Sequence, residues 1–413
     1  MASTPSPSEH PIAYLTDVEG LWEKLADFCR DNPQVSLDAG GRLVIRPGAT
    51  FIHGGDALDR GPDGRRVVRT LLEAWRAFPG QVVLLAGNRD INKLRLWREL
   101  KGHPLPRTPA EFRGASRPVL LKWIFDNTMG ARGAFEFRQA ELERDGPVSE
   151  EAVVDSFLED LAPGGVLRDY LAACQLAHRV GNTLFVHGGV SEESLGFVPS
   201  RDRVEGVDAW REALNGWYAE QVAAFVEGRL NAGVPAWAPL IAYQAPTPGR
   251  RINPKSVVYG RMATADNHPQ LPSRSLIAAL ADAGIHRLVA GHTPSGDCPS
   301  ILREGGFELI LADNSYGRVE GASRVFLRDD SVHVEGRVVL EGGRTERVRF
   351  QLALDDASTP IGRQLLDTGQ LVKAPLVGSG DWLLFRALPG FQVEQLAASP
   401  ADIAGRPLGS ARA

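Results

Sequence analysis

Five short polar motifs contain residue types that can bind a metal ion and a phosphate group. Each motif follows an apolar run of strand length: "YLTD", "FIHGGD", "LLAGN", "LFVHGG" and "LVAGHT". In chain order, these motifs and the residues just after them supply Asp17, Glu19, Asp56, Asp59, Arg60, Asn88, Arg89, Asp90, His187 and His292. Carboxylate oxygens, an amide oxygen and imidazole nitrogens form a mixed ligand set that suits Mn²⁺, Fe or Zn²⁺. One such motif is a weak signal, whereas five in order predict a metal site.

The elements around these motifs predict an α/β fold. Short β-branched runs alternate with amphipathic segments of helical length, such as "LWEKLADFCRDN" and "GRRVVRTLLEAWRAF". Buried strands that alternate with helices are typical of sheets covered by helices. In such sheets, ligands bind just outside the carboxyl ends of the strands, which is where the polar motifs stand.

The composition and the pattern of apolar residues change along the chain and suggest four segments. Residues 1–10 are predicted to be a flexible tail, and residues 11–321 to form the main domain. Within that domain, about residues 91–178 predict a helical insertion, because apolar residues there recur at helical spacing. After about residue 322 apolar and polar positions alternate up to about residue 354, and residues beyond 355 have a mixed pattern. Residues 322–413 are predicted to form a β-rich C-terminal extension, and the sequence indicates no role for residues 330–413.

Composition narrows the classes of partner. The net charge is −5 and the pI about 6.0, so the overall electrostatic potential of the protein does not favour binding to nucleic acid or to an anionic membrane. Three cysteines lie far apart, which predicts a reducing compartment and no disulfide framework. No apolar run approaches the roughly 18 residues of a membrane span. We therefore expect a cytoplasmic protein without nucleic-acid or membrane partners, and the sequence does not indicate any protein partner.

The motifs resemble those of the calcineurin-like metallophosphoesterases. "GDALDRG" is similar to GDxVDRG, "GNRD" to GNHE, and "HGG" and "GHT" to the two histidine blocks. The resemblance covers roughly residues 11–320 and is strongest to the branch of protein Ser/Thr phosphatases and diadenosine-tetraphosphatase-like enzymes. It implies a four-layer sandwich of two mixed β-sheets flanked by helices.

The resemblance also implies roles for single residues. Asp56 would bridge two divalent metals, with Asp17 and Glu19 on one metal and Asn88, His187 and His292 on the other. Mn²⁺ is favoured, with Fe, Zn²⁺ or Mg²⁺ as alternatives. Arg60 matches the phosphate-binding arginine, and Asp59 would orient a donor near the site. Arg261 is a second candidate for binding phosphate, from its position alone.

Two residues depart from the family pattern. Glu19 replaces a histidine ligand; it either coordinates and favours Mn²⁺ or Mg²⁺, or leaves the first metal position weak. Arg89 replaces the histidine that protonates the leaving group, and arginine does not give up its proton in proteins. Arg89 can stabilise charge instead, which fits a leaving group that departs unprotonated. Alternatively, Asp90, His53 or an inserted histidine (His103 or His178) supplies the proton.

These features predict a dinuclear-metal-dependent phosphohydrolase in which metal-bound hydroxide attacks phosphorus. Helices of the insertion would cover the metal site. A covered site suits a small phosphorylated metabolite or a nucleotide as substrate better than a folded protein. The bond cleaved is a phosphomonoester or a phosphoanhydride. Two alternatives are a protein serine/threonine phosphatase and a phosphate-binding pseudo-enzyme.

Overall fold

The computed structural model describes residues 11–314, 321 and 323–412. The predicted flexible tail, residues 1–10, lies outside this range. The strands are β1 (Ile12–Leu15), β2 (Val35–Leu37), β3 (Leu43–Ile45), β4 (Thr50–His53), β5 (Val82–Leu84), β6 (Ala177–Val180), β7 (Thr183–Val186), β8 (Leu230–Asn231), β9 (Val234–Pro235), β10 (Arg287–Pro294), β11 (Ser300–Glu304), β12 (Phe307–Asp313), β13 (Arg324–Arg328), β14 (Ser331–Val339), β15 (Thr345–Ala353), β16 (Arg363–Leu365), β17 (Leu371–Pro375), β18 (Trp382–Leu388), β19 (Gln392–Ala398) and β20 (Leu408–Ser410).

The helices include the two amphipathic segments quoted from the sequence. They are α1 (Trp22–Cys29), α2 (Gly64–Ala77), α3 (Asn88–Asn92), α4 (Leu96–Glu99), α5 (Ala110–Arg113), α6 (Arg117–Asn127), α7 (Ala134–Leu142), α8 (Glu150–Leu161), α9 (Val166–Ala173), α10 (Val207–Val226), α11 (Ala238–Tyr243), α12 (Arg274–Asp282) and α13 (Pro400–Ile403). The predicted insertion is helical from α3 to α9, and its last residues already belong to β6. None of the helices in the described ranges is both long and apolar enough to cross a membrane.

Two mixed sheets form the centre of the molecule. The first has the strand order β15-β14-β13-β1-β4-β5, and the second has the order β11-β12-β10-β7-β6. β1, β4 and β5 run parallel, as do β7, β10 and β12, so each sheet has a parallel part where strand ends gather on one edge. Antiparallel strands complete each sheet. The prediction of two mixed sheets flanked by helices is confirmed.

Alternating side chains of the central strands explain the layers. Tyr14 and Ile52 of the first sheet share an apolar cluster with Phe185 and Val289 of the second, and the rings of Tyr14 and Phe185 stack 5.7 Å apart. Residues one position along each strand join a second cluster with helical side chains. Because strand side chains point alternately to the two faces, each sheet packs against the other sheet on one face and against helices on the other.

The C-terminal region is β-rich, as predicted, but its strands divide between two sheets. β13 pairs antiparallel with β1, so β13–β15 extend the first sheet. β16–β20 form a separate five-stranded antiparallel sheet. The domain boundary expected after residue 321 thus falls between β12 of the second sheet and β13 of the first, and it stays a prediction.

Candidate metal and phosphate site

The polar motifs meet in one cleft of about 510 Å³ at the carboxyl ends of the parallel strands. Eight of the predicted site residues line it: Asp17, Glu19, Asp56, Arg60, Asn88, Arg89, Arg261 and His292. Asp59, Asp90 and His187 are buried beside these residues. Part of the remaining wall comes from distant parts of the chain, namely Met129 and Gly130 of the helical insertion, Val393 of β19 and Gly390 of the turn before it.

Asp56, His187 and His292 form a group with the chemistry of a metal site. One ligand atom from each lies within 4.8 Å of the others, and all three residues are buried. His187 Nδ1 lies 2.8 Å from the carbonyl oxygen of Gly54, which can only accept, so this nitrogen carries a proton. His187 Nε2 then faces Asn88 Oδ1 at 3.1 Å and Asp56 Oδ1 at 3.4 Å. A metal-ligating histidine is oriented by this type of bond through its other nitrogen.

The electrostatics of this group fit a cation. Burial acts to lower the pKa of His187, but the adjacent Asp56 carboxylate outweighs it and raises that pKa to about 10. Burial, Arg261 and His187 hold the pKa of His292 well below its ordinary value. His292 Nε2 is buried without a hydrogen-bond partner among the residues that the structure describes. Buried polar atoms normally have a partner, so this neutral imidazole nitrogen fits a metal ligand.

Asp17 links the two sheets at the floor of the cleft. Its Oδ2 accepts hydrogen bonds from Thr16 Oγ1 at 2.6 Å and from the backbone N–H of His292 at 3.1 Å. Burial, together with nearby Asp56, raises the pKa of Asp17, although His187 opposes the shift. Asp313, which ends β12 and lines the cleft, is a further carboxylate whose pKa is raised by burial and by Asp17. Such crowded carboxylates favour a bound cation.

Asp313 lines the cleft although no sequence motif predicted it there. The residue ends an apolar run, as the predicted site residues do, but it lacks a glycine-flanked motif of its own. Its position at the end of a strand parallel to β10 is the signal that could have found it.

Asp59 and Asp90 lie behind the residues that face the cleft. The Asp90 carboxylate accepts hydrogen bonds from the backbone N–H groups of Asp56 (2.9 Å), Ala57 (2.9 Å) and Gly87 (3.0 Å). Burial and the charge of Asp56 raise the pKa of Asp90 to about 7. Asp59 accepts from the buried ammonium of Lys93 at 2.7 Å. Both carboxylates hold turns of the site in place.

Glu19 and Arg89, the two departures from the family pattern, contact each other. Glu19 Oε1 lies 2.7 Å from Arg89 Nε and 3.3 Å from Arg60 Nε. Arg89 Nε is also 3.4 Å from Asp56 Oδ2, and Arg89 Nη1 donates to the carbonyl oxygen of Gly130 at 3.1 Å. Burial raises the pKa of Glu19 to about 7, and the two arginines only partly offset it. The structure therefore places Glu19 against the arginines rather than in the Asp56 group.

The backbone of the site is strained. Nine non-glycine residues in the described ranges have positive φ, and five of them are predicted site residues: Asp17, Glu19, Asp56, Asp59 and His292. Their φ values run from 51° to 107°, in the left-handed region that side chains rarely adopt. Such strain gathers at functional sites, where the surrounding structure holds it. At Gly55, a Cβ would lie 2.7 Å from His187 Nδ1, so only glycine allows the histidine to approach.

The family model for calcineurin-like phosphoesterases matches residues 10–296. The chain belongs to this family. The resemblance predicted from the motifs is thus confirmed, and so is the expectation of a metal-dependent phosphoesterase. Comparison with curated proteins gives no match.

Solved structures that resemble this phosphoesterase have low sequence identity to it. A cold-active protein-tyrosine phosphatase of a psychrophilic Shewanella species is 15% identical, with a TM-score of 0.46 over 83% of this chain and 82% of that one. A protein serine/threonine phosphatase from Saccharomyces cerevisiae is 14% identical, with a TM-score of 0.38 over 86% and 84%. The phosphopantetheinyl hydrolase of Mycobacterium tuberculosis is 14% identical, with a TM-score of 0.23 over 75% and 90%.

In this phosphoesterase, the four alternative proton donors predicted from the sequence do not line the cleft. His53 is buried with Nδ1 3.2 Å from the Tyr170 hydroxyl, and burial and His187 lower its pKa to about 3. His178 lies in β6 beside Gln175, and burial lowers its pKa to about 4. His103 lies outside the cleft lining, and Asp90 faces backbone N–H groups.

Arg261 extends the cationic side of the phosphoesterase cleft. Its Nη1 donates to Asn267 Oδ1 at 3.0 Å, and its side chain lines the cleft with Arg60 and Arg89. The ring of Tyr259 packs against that of His292 with centroids 5.1 Å apart. The cleft thus combines metal-capable ligands with three guanidinium groups that can pair with phosphate oxygens.

Proposed function

We propose that this phosphoesterase is a dinuclear-metal-dependent phosphohydrolase that acts on a small phosphorylated metabolite or a nucleotide. The observation that carries the proposal is the layout of the cleft: acidic and imidazole ligands stand beside three arginines. Its volume of about 510 Å³ lies within the range of about 300–1,000 Å³ typical of small-molecule pockets. Walls from the helical insertion and the C-terminal sheet leave less room for a folded protein substrate.

The proposed ligands divide around Asp56. His187, His292 and Asn88 would hold one ion together with Asp56, and Asp17 would hold the other together with Asp56; coordination by Glu19 stays a prediction. The carboxylate-rich half favours Mn²⁺ over Zn²⁺. Bound divalent ions supply Lewis-acid charge and lower the pKa of water.

The protein's own residues would bind and orient the substrate. Arg60, Arg89 and Arg261 pair with phosphoryl oxygens, because a guanidinium fork matches two such oxygens. Asp90 holds the turn that carries Asp56, and Asp59 holds Lys93, whose ammonium also donates to the carbonyl oxygen of Arg89. Arg89 stabilises negative charge without giving up a proton, so we propose a phosphoanhydride as the preferred bond.

Metal analysis and a substrate panel test this function. We expect purified protein to contain transition metal and to hydrolyse p-nitrophenyl phosphate esters faster with Mn²⁺. On the panel, phosphorylated metabolites or nucleotides should turn over faster than a phosphopeptide. Absence of bound metal and of Mn²⁺-stimulated hydrolysis would refute the proposal, and comparable activity on a phosphopeptide would favour a protein phosphatase.

We also propose a cytoplasmic location without nucleic-acid or membrane partners. The three cysteines are buried and free, which suits a reducing compartment, and the net charge is negative. Cell fractionation with an antibody to the protein tests the location, and recovery in a membrane fraction would contradict it.

A further inference from the structure

Strand β10 loses its regular pairing where it carries His292. Its register with β12 is regular up to Ala290 and resumes only at Pro294, which pairs with Asp313. His292 lies inside this bulge with φ of 60°. The near side of the bulge is held by hydrogen bonds from Gly291 N–H to the carbonyl oxygen of His187 (2.8 Å) and from His292 N–H to Asp17 (3.1 Å). The strand ladder alone therefore does not define the position of this histidine.

The far side of the bulge is held by a buried lysine of the C-terminal sheet. Lys373, on β17, has 0% exposure, and its ammonium donates to the carbonyl oxygens of Ser295 and Cys298. The Lys373 Nζ atom also lies 4.1 Å from the centroid of the Phe385 ring. A buried ammonium is costly unless it is bonded, so these contacts strongly favour one conformation of the loop.

A second residue of the same sheet binds the middle of this loop. Gln395, on β19, accepts from Asp297 N–H at 3.0 Å and donates to Asp297 Oδ2 at 2.6 Å. Between these anchors, Gly296 has φ of 72°, and a Cβ there would lie 3.2 Å from Phe385. Residues 294–298, which we call the β10 loop, are thus fastened by side chains about 80–100 positions later in the chain.

We propose that Lys373 and Gln395 are positioning residues of the active site. They fix the β10 loop, and through it the bulge that carries His292 and the cleft wall formed by Pro294 and Gly296. The inference rests on the proposed function for the role of His292 in metal binding. It gives the C-terminal sheet a role that the sequence did not indicate: the sheet also supplies Gly390 and Val393 to the cleft.

The test compares Lys373→Met with Leu365→Ala in the same sheet. Leu365 is fully buried in a separate cluster with Val372, Leu384 and Ile403, so its truncation destabilises the sheet without touching the loop. We expect Lys373→Met to weaken Mn²⁺ affinity about 10- to 100-fold by calorimetric titration, the usual effect of losing a residue that orients a ligand. Leu365→Ala should keep wild-type affinity while its melting temperature falls.

Gln395→Leu provides a second variant that leaves the buried charge of Lys373 in place. Gln395 lies on β19, which is an edge strand of the sheet. It should weaken Mn²⁺ affinity in the same direction and should raise the KM of the best substrate less than it lowers kcat. Wild-type affinity in both Lys373→Met and Gln395→Leu, or an equal loss in Leu365→Ala, would overturn the inference.

Hydrogen exchange of metal-free protein separates this inference from the proposed function. The amides of His292, Ser295 and Asp297 should exchange faster in Lys373→Met and Gln395→Leu than in the wild type, and should stay protected in Leu365→Ala. If the wild type binds no Mn²⁺, the proposed function fails, and the exchange rates still decide whether the sheet positions the loop. Unchanged exchange in both variants contradicts the positioning role.

Discussion

The two ends of strand β10 differ in how they are held: the amino end pairs regularly with its neighbours, and the carboxyl end does not. At the amino end, Arg287 Nε and Glu308 Oε2 are 2.8 Å apart, both side chains have 0% exposure, and pairing with β7 and β12 is regular. At the carboxyl end, His292 lies in a bulge with positive φ and faces a cleft. The regular ladder holds the first end, whereas the second depends on contacts from other parts of the chain.

The same contrast separates two arginine–glutamate pairs. Arg89 and Glu19 are 2.7 Å apart, nearly the distance in the Arg287–Glu308 pair. The Arg89 side chain is 12% exposed and lines the cleft, whereas Arg287 is sealed in the core. The two pairs therefore differ in access to the cleft and not in distance. If the proposed function is right, substitutions in the two pairs should separate activity from stability.

The largest effect on activity is expected for Asp56→Asn. Asparagine keeps a hydrogen-bond acceptor for Arg89 N–H and tolerates the left-handed backbone, so the fold should persist. Loss of the charge that we propose to bridge the two metals should reduce kcat by more than about 100-fold, the upper end for residues that only orient a ligand. Metal content and turnover of the same preparation measure this, and surviving activity would show that the assignment of Asp56 is wrong.

Arg89→His sharpens the comparison of the two ion pairs. We expect cleavage of phosphoanhydrides to fall by about 10²–10³-fold, as for loss of one preorganised charge-stabilising donor. Cleavage of simple aliphatic monoesters should stay level or rise, because histidine can protonate the leaving oxygen. Measuring kcat/KM of the wild type and the variant on both substrate classes tests this prediction. A selective loss of monoester cleavage would refute the charge-stabilising role of Arg89.

Asp90→Asn should have an intermediate effect. The amide cannot accept from all three backbone N–H groups that Asp90 now binds, so unfolding free energy should fall by about 1–3 kcal/mol per group left unpaired. We expect kcat to drop about 10- to 100-fold with an unchanged shape of the pH profile. If Asp90 were the proton donor, the variant would instead lose the limb of the profile at high pH.

Arg287→Met should have the smallest effect on activity and a large effect on stability. Removing one partner of this buried pair leaves Glu308 with only part of its compensation, at a cost of about 3–5 kcal/mol. The kcat of the folded fraction should match the wild type, since the pair lies at the amino edge of the sheet. Denaturant unfolding measures the stability, and kinetics below the unfolding transition measure kcat. A loss of kcat without a loss of stability would contradict the difference expected between the two ends of β10.

Sequence reasoning located most of the cleft residues because their positions follow from a local rule. A cleft residue such as Asp17 or Asp56 follows a buried strand within three positions, and parallel strands bring their carboxyl ends together. The pairing of Glu19 with Arg89 was not predicted, because it depends on how two turns approach each other in space. Asp313 was missed since the strand before it carries no motif, although its placement obeys the same rule.

The fold shows the same limit. Alternation after residue 322 predicts strands, but it does not say which sheet they join, because register and partner depend on tertiary packing. β13 pairs with β1 over a separation of some 300 residues, and Lys373 reaches a loop whose sequence gives no sign of needing it. Contacts of this kind arise from the assembled structure rather than from any window of the chain.

The fastening of the β10 loop implies an order of events during synthesis. As the chain leaves the ribosome, β1, β4 and β5 can pair early, since they lie within the first 84 residues. His292 emerges later, and Lys373 and Gln395 emerge only about 80–100 residues after it. A nascent chain therefore carries the acidic residues Asp17 and Asp56 long before the part of the cleft around His292 is fixed. On the proposed role of these two residues, Lys373 and Gln395, the site becomes complete only after Gln395 has been synthesised.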